Sequence, residues 1–100
     1  MIEREVYPWD NVHRKEGFWG TEFYVGQRVF AFVKGDLLVL THTTPQERDK
    51  LVSEWGAAKY VLGGSQVGFF YQIPLSEENV ADLIPLIRRS YEHTLKWKGV

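Results

Sequence analysis

Apolar and polar positions change their period several times along the chain. Three runs, F18-W-G-T-E-F-Y-V25, R28-V-F-A-F-V33 and L37-L-V-L-T41, are rich in aromatic and β-branched residues and have the length of strands. Gly26-Gln27 separates the first two, with a glycine free to take positive φ, and Lys34-Gly35-Asp36 separates the next two. The spacing predicts an antiparallel meander. In T44-P-Q-E47, Thr44 is placed to cap a helix, Pro45 sits at the first position, where its missing N–H costs nothing, and Glu47 can reach back to the Thr44 N–H. That helix should run to about Trp55 and stop at Gly56. K59-Y-V-L62 then predicts a short strand, Gly63-Gly64-Ser65-Gln66 a turn, and V67-G-F-F-Y-Q-I73 a last strand closed by Pro74. Beyond Ser76, read as a cap, Val80, Leu83, Ile84, Ile87, Tyr91 and Leu95 recur at helical spacing. Pro85 either kinks this helix or marks where it properly begins. Residues 1–17 read as irregular or as a short edge element.

The predicted order is β-β-β-α-β-β-α. It describes an α+β domain, a five-stranded antiparallel sheet with two helices packed on one face. One feature conflicts with that plan. A sheet covered on one side should alternate apolar and polar residues. In V29-F-A-F-V33 both parities are apolar, and L37-L-V-L40 has no polar position. The second face therefore needs a cover, and the aromatic N-terminal segment (Tyr7, Trp9) or a second subunit could supply it.

One hundred residues make a single domain over 1–100. With 12 basic and 13 acidic residues the net charge is -1, which argues against a dedicated binder of nucleic acid or of anionic membranes. The absence of cysteine removes disulfides, thiolate metal sites and thiol nucleophiles. M1-I-E-R-E5 has acids where a secretory leader needs cations, and no apolar run approaches the roughly 20 residues of a membrane span. A cytoplasmic protein is expected.

From Val12 to Leu95 the chain resembles three groups of small bacterial α+β domains. They are the YjbR (MmcQ) family, the N-terminal domain of TfoX competence regulators, and the small domain labelled "luciferase". The likeness is carried by F18-W-G20, V25-G-Q-R-V-F-A-F32, T44-P-Q-E-R-D-K-L-V52, G68-F-F-Y-Q-I-P74 and L83-I-P-L-I-R-R-S-Y91. In the last of these, I87-R-R-S-Y91 stands where the YjbR pattern has a similar ending. G56-A-A-K-Y-V-L62 and E78-N-V-A-D82 are similar to the "luciferase" domain. The resemblance implies DNA binding by analogy for YjbR and a regulatory role for TfoX. It carries over no catalytic residue; the "luciferase" relatives have histidines where F32-V-K-G-D36 stands here.

Several residues are candidates for function. Trp19, Phe30, Phe32, Leu86 and Trp97 could form a partner or dimer interface. Arg88, Arg89, His93, Lys96 and Lys98 give the last helix a basic side that could touch phosphates, although cations there also complement the helix dipole and Arg88–Glu92 is an i,i+4 pair. The aromatic set Trp19, Phe23, Phe30, Phe32, Phe69, Phe70 and Tyr71 lacks the interleaved cations of a base-stacking surface, which favours a core or an interface. G63-G-S-Q-V-G68 precedes a strand, not a helix, and so is a hairpin turn and no phosphate loop. His13, His42 and His93 have no metal-pair spacing, so neither metal nor cofactor is expected. His42, just ahead of the capping box, is the sole histidine placed for general-base work. The leading expectation is a non-catalytic interaction or small-ligand-binding module, homodimeric, with a protein or small apolar ligand as partner. A DNA-binding regulator is the alternative, and an enzyme acting through His42 stands third.

Overall fold

The structure is a computed structural model that describes Val6 and residues 8–96. It holds six strands: β1 (Val12–Gly17), β2 (Gly20–Val25), β3 (Arg28–Lys34), β4 (Leu37–Leu40), β5 (Ala58–Leu62) and β6 (Ser65–Pro74). Among the described residues two helices accompany them, α1 (Pro45–Trp55) and α2 (Val80–Lys96). The strands form one sheet in the order β1-β2-β3-β4-β6-β5, and all neighbours are antiparallel. The architecture is the expected α+β, with six strands in place of five. The added strand is β1, which pairs with β2 from Val12↔Val25 to Gly17↔Gly20. Phe18 and Trp19 belong to the turn between them, not to the strand.

The Thr44 capping box forms in full. Thr44 Oγ1 accepts from the Glu47 N–H at 3.2 Å, and Glu47 Oε1 accepts from the Thr44 N–H at 2.9 Å. Gly63 and Gly64 make the β5–β6 turn with φ of 61° and 84°, a pair that side chains with a Cβ resist. At the start of α2 the capping differs from expectation. Asn79 Oδ1 accepts from the Ser76 N–H at 2.8 Å, and Asn79 Nδ2 donates to the Pro74 carbonyl. Pro85 lies inside α2, six residues in, so the helix does not begin there.

Both helices lie on one face. Leu51 of α1 and Leu83, Ile87 and Tyr91 of α2 pack with Phe23, Phe30, Leu38, Leu40 and Ile73 of the sheet. Leu95, expected on this stripe, is 53% exposed; the buried seam continues instead through Ser90 and Thr94. Leu86, expected away from the core, is half-buried against it.

The doubled apolar parity of β3 has a local cause. Phe23 pairs with Ala31 but Tyr24 pairs with Val29, so Phe30 is an extra residue, a β-bulge. The bulge lets Phe30 and Ala31 both enter the helix-side core, while Val29 and Phe32 serve the opposite face. That second face is a smaller core of Phe32, Val39 and Tyr60, flanked by Trp19, Val29 and Phe70, and no residue of α1 or α2 belongs to it. In a flat sheet β3 and β5 would lie three strand spacings apart, about 14 Å. The Phe32 and Tyr60 ring centroids are nevertheless 5.4 Å apart. The sheet therefore curls towards this face, and Trp19 from the β1–β2 turn closes over it at 5.3 Å from Phe32, 6.0 Å from Tyr60 and 5.9 Å from Phe70. Within the chain, Trp19 and the curl of the sheet cover this face. Trp9 packs on the helix side against Phe30 and Tyr91, and Tyr7 lies outside the described residues. Phe32 is fully buried within the single chain.

Candidate functional site

The chemistry-bearing side chains gather at two places. The first is the tip of the β1–β2 hairpin. Glu22 is buried on the second face, where its carboxylate accepts from the Trp19 N–H at 2.8 Å and from the Tyr24 hydroxyl at 2.7 Å. Hydrogen bonding to Glu22 raises the Tyr24 phenol above its ordinary pKa. The tip is built tightly around this carboxylate. A Cβ on Gly17 would come within 2.6 Å of Glu22 Oε2, so any larger residue there would push the carboxylate from its place. Trp19 is thereby fixed over the second core, whereas its neighbour Phe18 is 69% exposed.

The second place is the corner where the β4–α1 loop meets α2. Ser90 is fully buried; its hydroxyl donates to the carbonyl of the bulge residue Phe30 at 2.6 Å and accepts from the His42 N–H at 3.1 Å. Thr94 Oγ1 donates to the Ser90 carbonyl at 2.8 Å and Thr41 Oγ1 to the Val29 carbonyl at 3.0 Å. Each hydroxyl has a single proton, and both are committed. His42 Nδ1, 2.8 Å from Thr41 Oγ1 and 2.9 Å from Thr94 Oγ1, must therefore be the donor to both. Burial, then the charges of Arg28 and His93, push the His42 pKa below its usual value. Next to this corner is an open depression of about 320 Å³, lined by Asn11, Val25, Gln27, Arg28, Thr94 and Leu95.

Glu47 links the corner to α1. Besides its cap bond, its carboxylate meets Arg89 Nη2 at 2.7 Å and His93 Nε2 at 3.0 Å. Its pKa lies below the ordinary carboxylate value: burial works to raise it, and the Thr44 N–H, His93 and Arg89 together outweigh that. Acid should therefore destabilise the fold in two stages. The unfolded chain takes up a proton at His42 near 6.5, the usual value, while the folded chain resists it, so stability present above that pH falls below it. A second loss follows below 4.5 as Glu47 is protonated, again because the folded pKa is the lower one. Denaturant unfolding across this range checks it; in His42→Gln the first stage should vanish and the second persist.

The basic side of α2 is largely engaged within the chain. Arg89 and His93 hold Glu47, while Arg88 pairs with Glu92 at 3.1 Å and lies 5.0 Å and 4.9 Å from the Trp9 and Tyr91 ring centroids. Lys96 is exposed, and Lys98 and Trp97 lie outside the described residues. Of the interface candidates, Phe30 and Phe32 are wholly buried and have no surface for a partner, whereas Trp19 and Leu86 are each partly exposed. His13 is stacked on Tyr24 at 5.7 Å. Among the described residues no three His, Cys, Asp or Glu gather as metal ligands, and no helix is long and apolar enough to cross a membrane. No family model, curated protein or solved structure matches the chain.

Proposed function

We propose that the chain is a non-catalytic interaction module that pairs with a second copy of itself through the β1–β2 tip. The observation that carries this is Phe18. It is 69% exposed on a turn whose backbone is held from beneath by buried Glu22 and whose other ring, Trp19, is anchored in the second core. A rigid exposed aromatic loses little conformational entropy on contact, which is the property of an interface anchor. A two-fold contact brings the same tip of each copy together, and a net charge of -1 leaves little repulsion between copies. The likeness of Val12–Leu95 to YjbR, TfoX N-terminal and "luciferase"-labelled domains, which carries over no catalytic residue, agrees with a module that binds. A DNA regulator using α2 would have to draw Arg89 and His93 away from Glu47, and this weighs against that alternative. Its location is proposed to be cytoplasmic.

Sedimentation across a concentration series tests the proposal. The wild type should pass from monomer to dimer with a dissociation constant of about 10 μM, and Phe18→Ser should remain monomeric with unchanged folding stability. Phe18 is exposed, so its loss does not threaten the fold. A wild type that stays monomeric well above that concentration, or a Phe18→Ser variant that dimerises equally well, overturns the proposal.

A further inference from the structure

We infer that the free edge of β5 is a docking site for an extended peptide segment of a partner protein, one with a β-branched residue two positions before an acidic one. This is independent of the pairing through the β1–β2 tip. The sheet order leaves two edges, β1 and β5. β1 is guarded by the exposed charges of Arg14, Lys15 and Glu16. β5 carries a single charge, Lys59, and its Val61 is 52% exposed. The β5–β6 turn fixes where the Val61 backbone points. Leu62 and Ser65 face each other across the two-residue turn of Gly63 and Gly64, both at positive φ, so they form a hydrogen-bonded pair of the ladder. Pairs alternate along an antiparallel ladder, so Val61, opposite Gln66, turns its N–H and C=O away from β6. Among the described residues no strand lies on that side. A donor and an acceptor on a sheet edge, beside an exposed β-branched side chain, are what an added strand takes up. Lys59 and Val61 flank the buried Tyr60 and so share the face opposite to it. An antiparallel strand with one residue opposite Val61 therefore has the residue two further on opposite Lys59. The first position favours a β-branched side chain and the second an anion. Among the described residues Lys59 has no ion-pair partner. β5 holds no acidic residue, so the same edge of a second copy offers Lys59 no anion in any register. Charge complementarity thus selects an acidic peptide.

The test titrates the acetylated and amidated peptide Thr-Val-Thr-Glu-Thr into the full chain and follows amide chemical shifts. A dissociation constant of about 100 μM is expected, with shifts centred on Lys59, Tyr60 and Val61. The same peptide with lysine in place of glutamate should bind about fivefold more weakly, because a like charge then faces Lys59. Lys59→Glu should reverse that preference, and Lys59 is exposed, so the swap leaves the core intact. Val61→Pro removes an N–H that β6 does not use and should weaken the glutamate peptide about tenfold or more. Absence of glutamate-peptide binding at about 1 mM, ten times the expected constant, overturns the proposal. Equal binding of the two peptides, or a preference that Lys59→Glu leaves unchanged, overturns it as well. A folded Val61→Pro that binds as tightly as the wild type does the same. Association of Phe18→Ser that Val61→Pro abolishes would give the edge to a second copy and overturn the peptide assignment.

Discussion

Phe32→Ala should remove about 3–5 kcal/mol of folding stability, a large part of the roughly 5–15 kcal/mol that holds a domain of this size together. The size follows from the packing. Phe32 is fully buried, and its ring meets Trp19, Tyr60 and Phe70 at centroid distances of 5.3, 5.4 and 6.0 Å. The Tyr60 and Phe70 contacts are edge-on, and such ring pairs add about 0.5–1.5 kcal/mol each beyond burial. Among the described residues no helix packs on this side to close the void. The loss should be complete in dilute solution, where copies are apart, because the curl of one chain buries the residue. Guanidinium unfolding, with tryptophan fluorescence to follow Trp19, measures it. A loss seen only at concentrations where copies associate would mean that a second subunit, not the curl, covers the face.

Ser90→Ala should cost about 2–3 kcal/mol even though alanine is the better helix former. The bulge takes the Phe30 carbonyl out of the regular ladder, and Ser90 supplies its short hydrogen bond at 2.6 Å; the other partner, the Thr41 N–H, lies at 3.4 Å. The same hydroxyl is the acceptor for the His42 N–H. One truncation therefore leaves two partly or fully buried backbone groups poorly satisfied, each carrying a desolvation penalty of about 1–3 kcal/mol. Ser53→Ala in α1 is the control. Its hydroxyl bonds the Lys50 carbonyl in an exposed position, and the change should stay within about 0.5 kcal/mol. Similar losses at both serines would show that Ser90 has no special part in holding the bulge.

Local rules wrote much of the fold plainly into the chain. Thr44, Pro45 and Glu47 define a helix start because every partner lies within four residues, and Gly63-Gly64 defines a hairpin for the same reason. β1 is legible only as one of two alternatives, irregular chain or a short edge element, because H13-R-K-E16 is polar on both parities. It is an edge strand exposed on both sides, and its charges discourage pairing with other edges. The Phe30 bulge was hidden, since it shows itself as two apolar parities, which also describe a sheet covered on both faces. At the His42 corner the partners Ser90 and Thr94 lie 48 and 52 residues away. A signal for them did exist. Ser90 and Thr94 fall three and seven positions after Ile87, on the buried stripe, and polar residues there ask for a partner. Arg88, Arg89, His93 and Lys96 lie on α2, but local spacing does not reveal that Glu47 holds two of them, because Glu47 is 42 residues from Arg89.

Glu47 also sets how the molecule comes apart. The same carboxylate closes the first turn of α1 and holds Arg89 and His93 in the later turns of α2. Neither end can fray while the other stays closed without breaking bonds to that one group. Backbone amides at the beginning of α1 and around residues 89–93 of α2 should consequently exchange with deuterated water as one opening unit, although they are more than 40 positions apart in the chain.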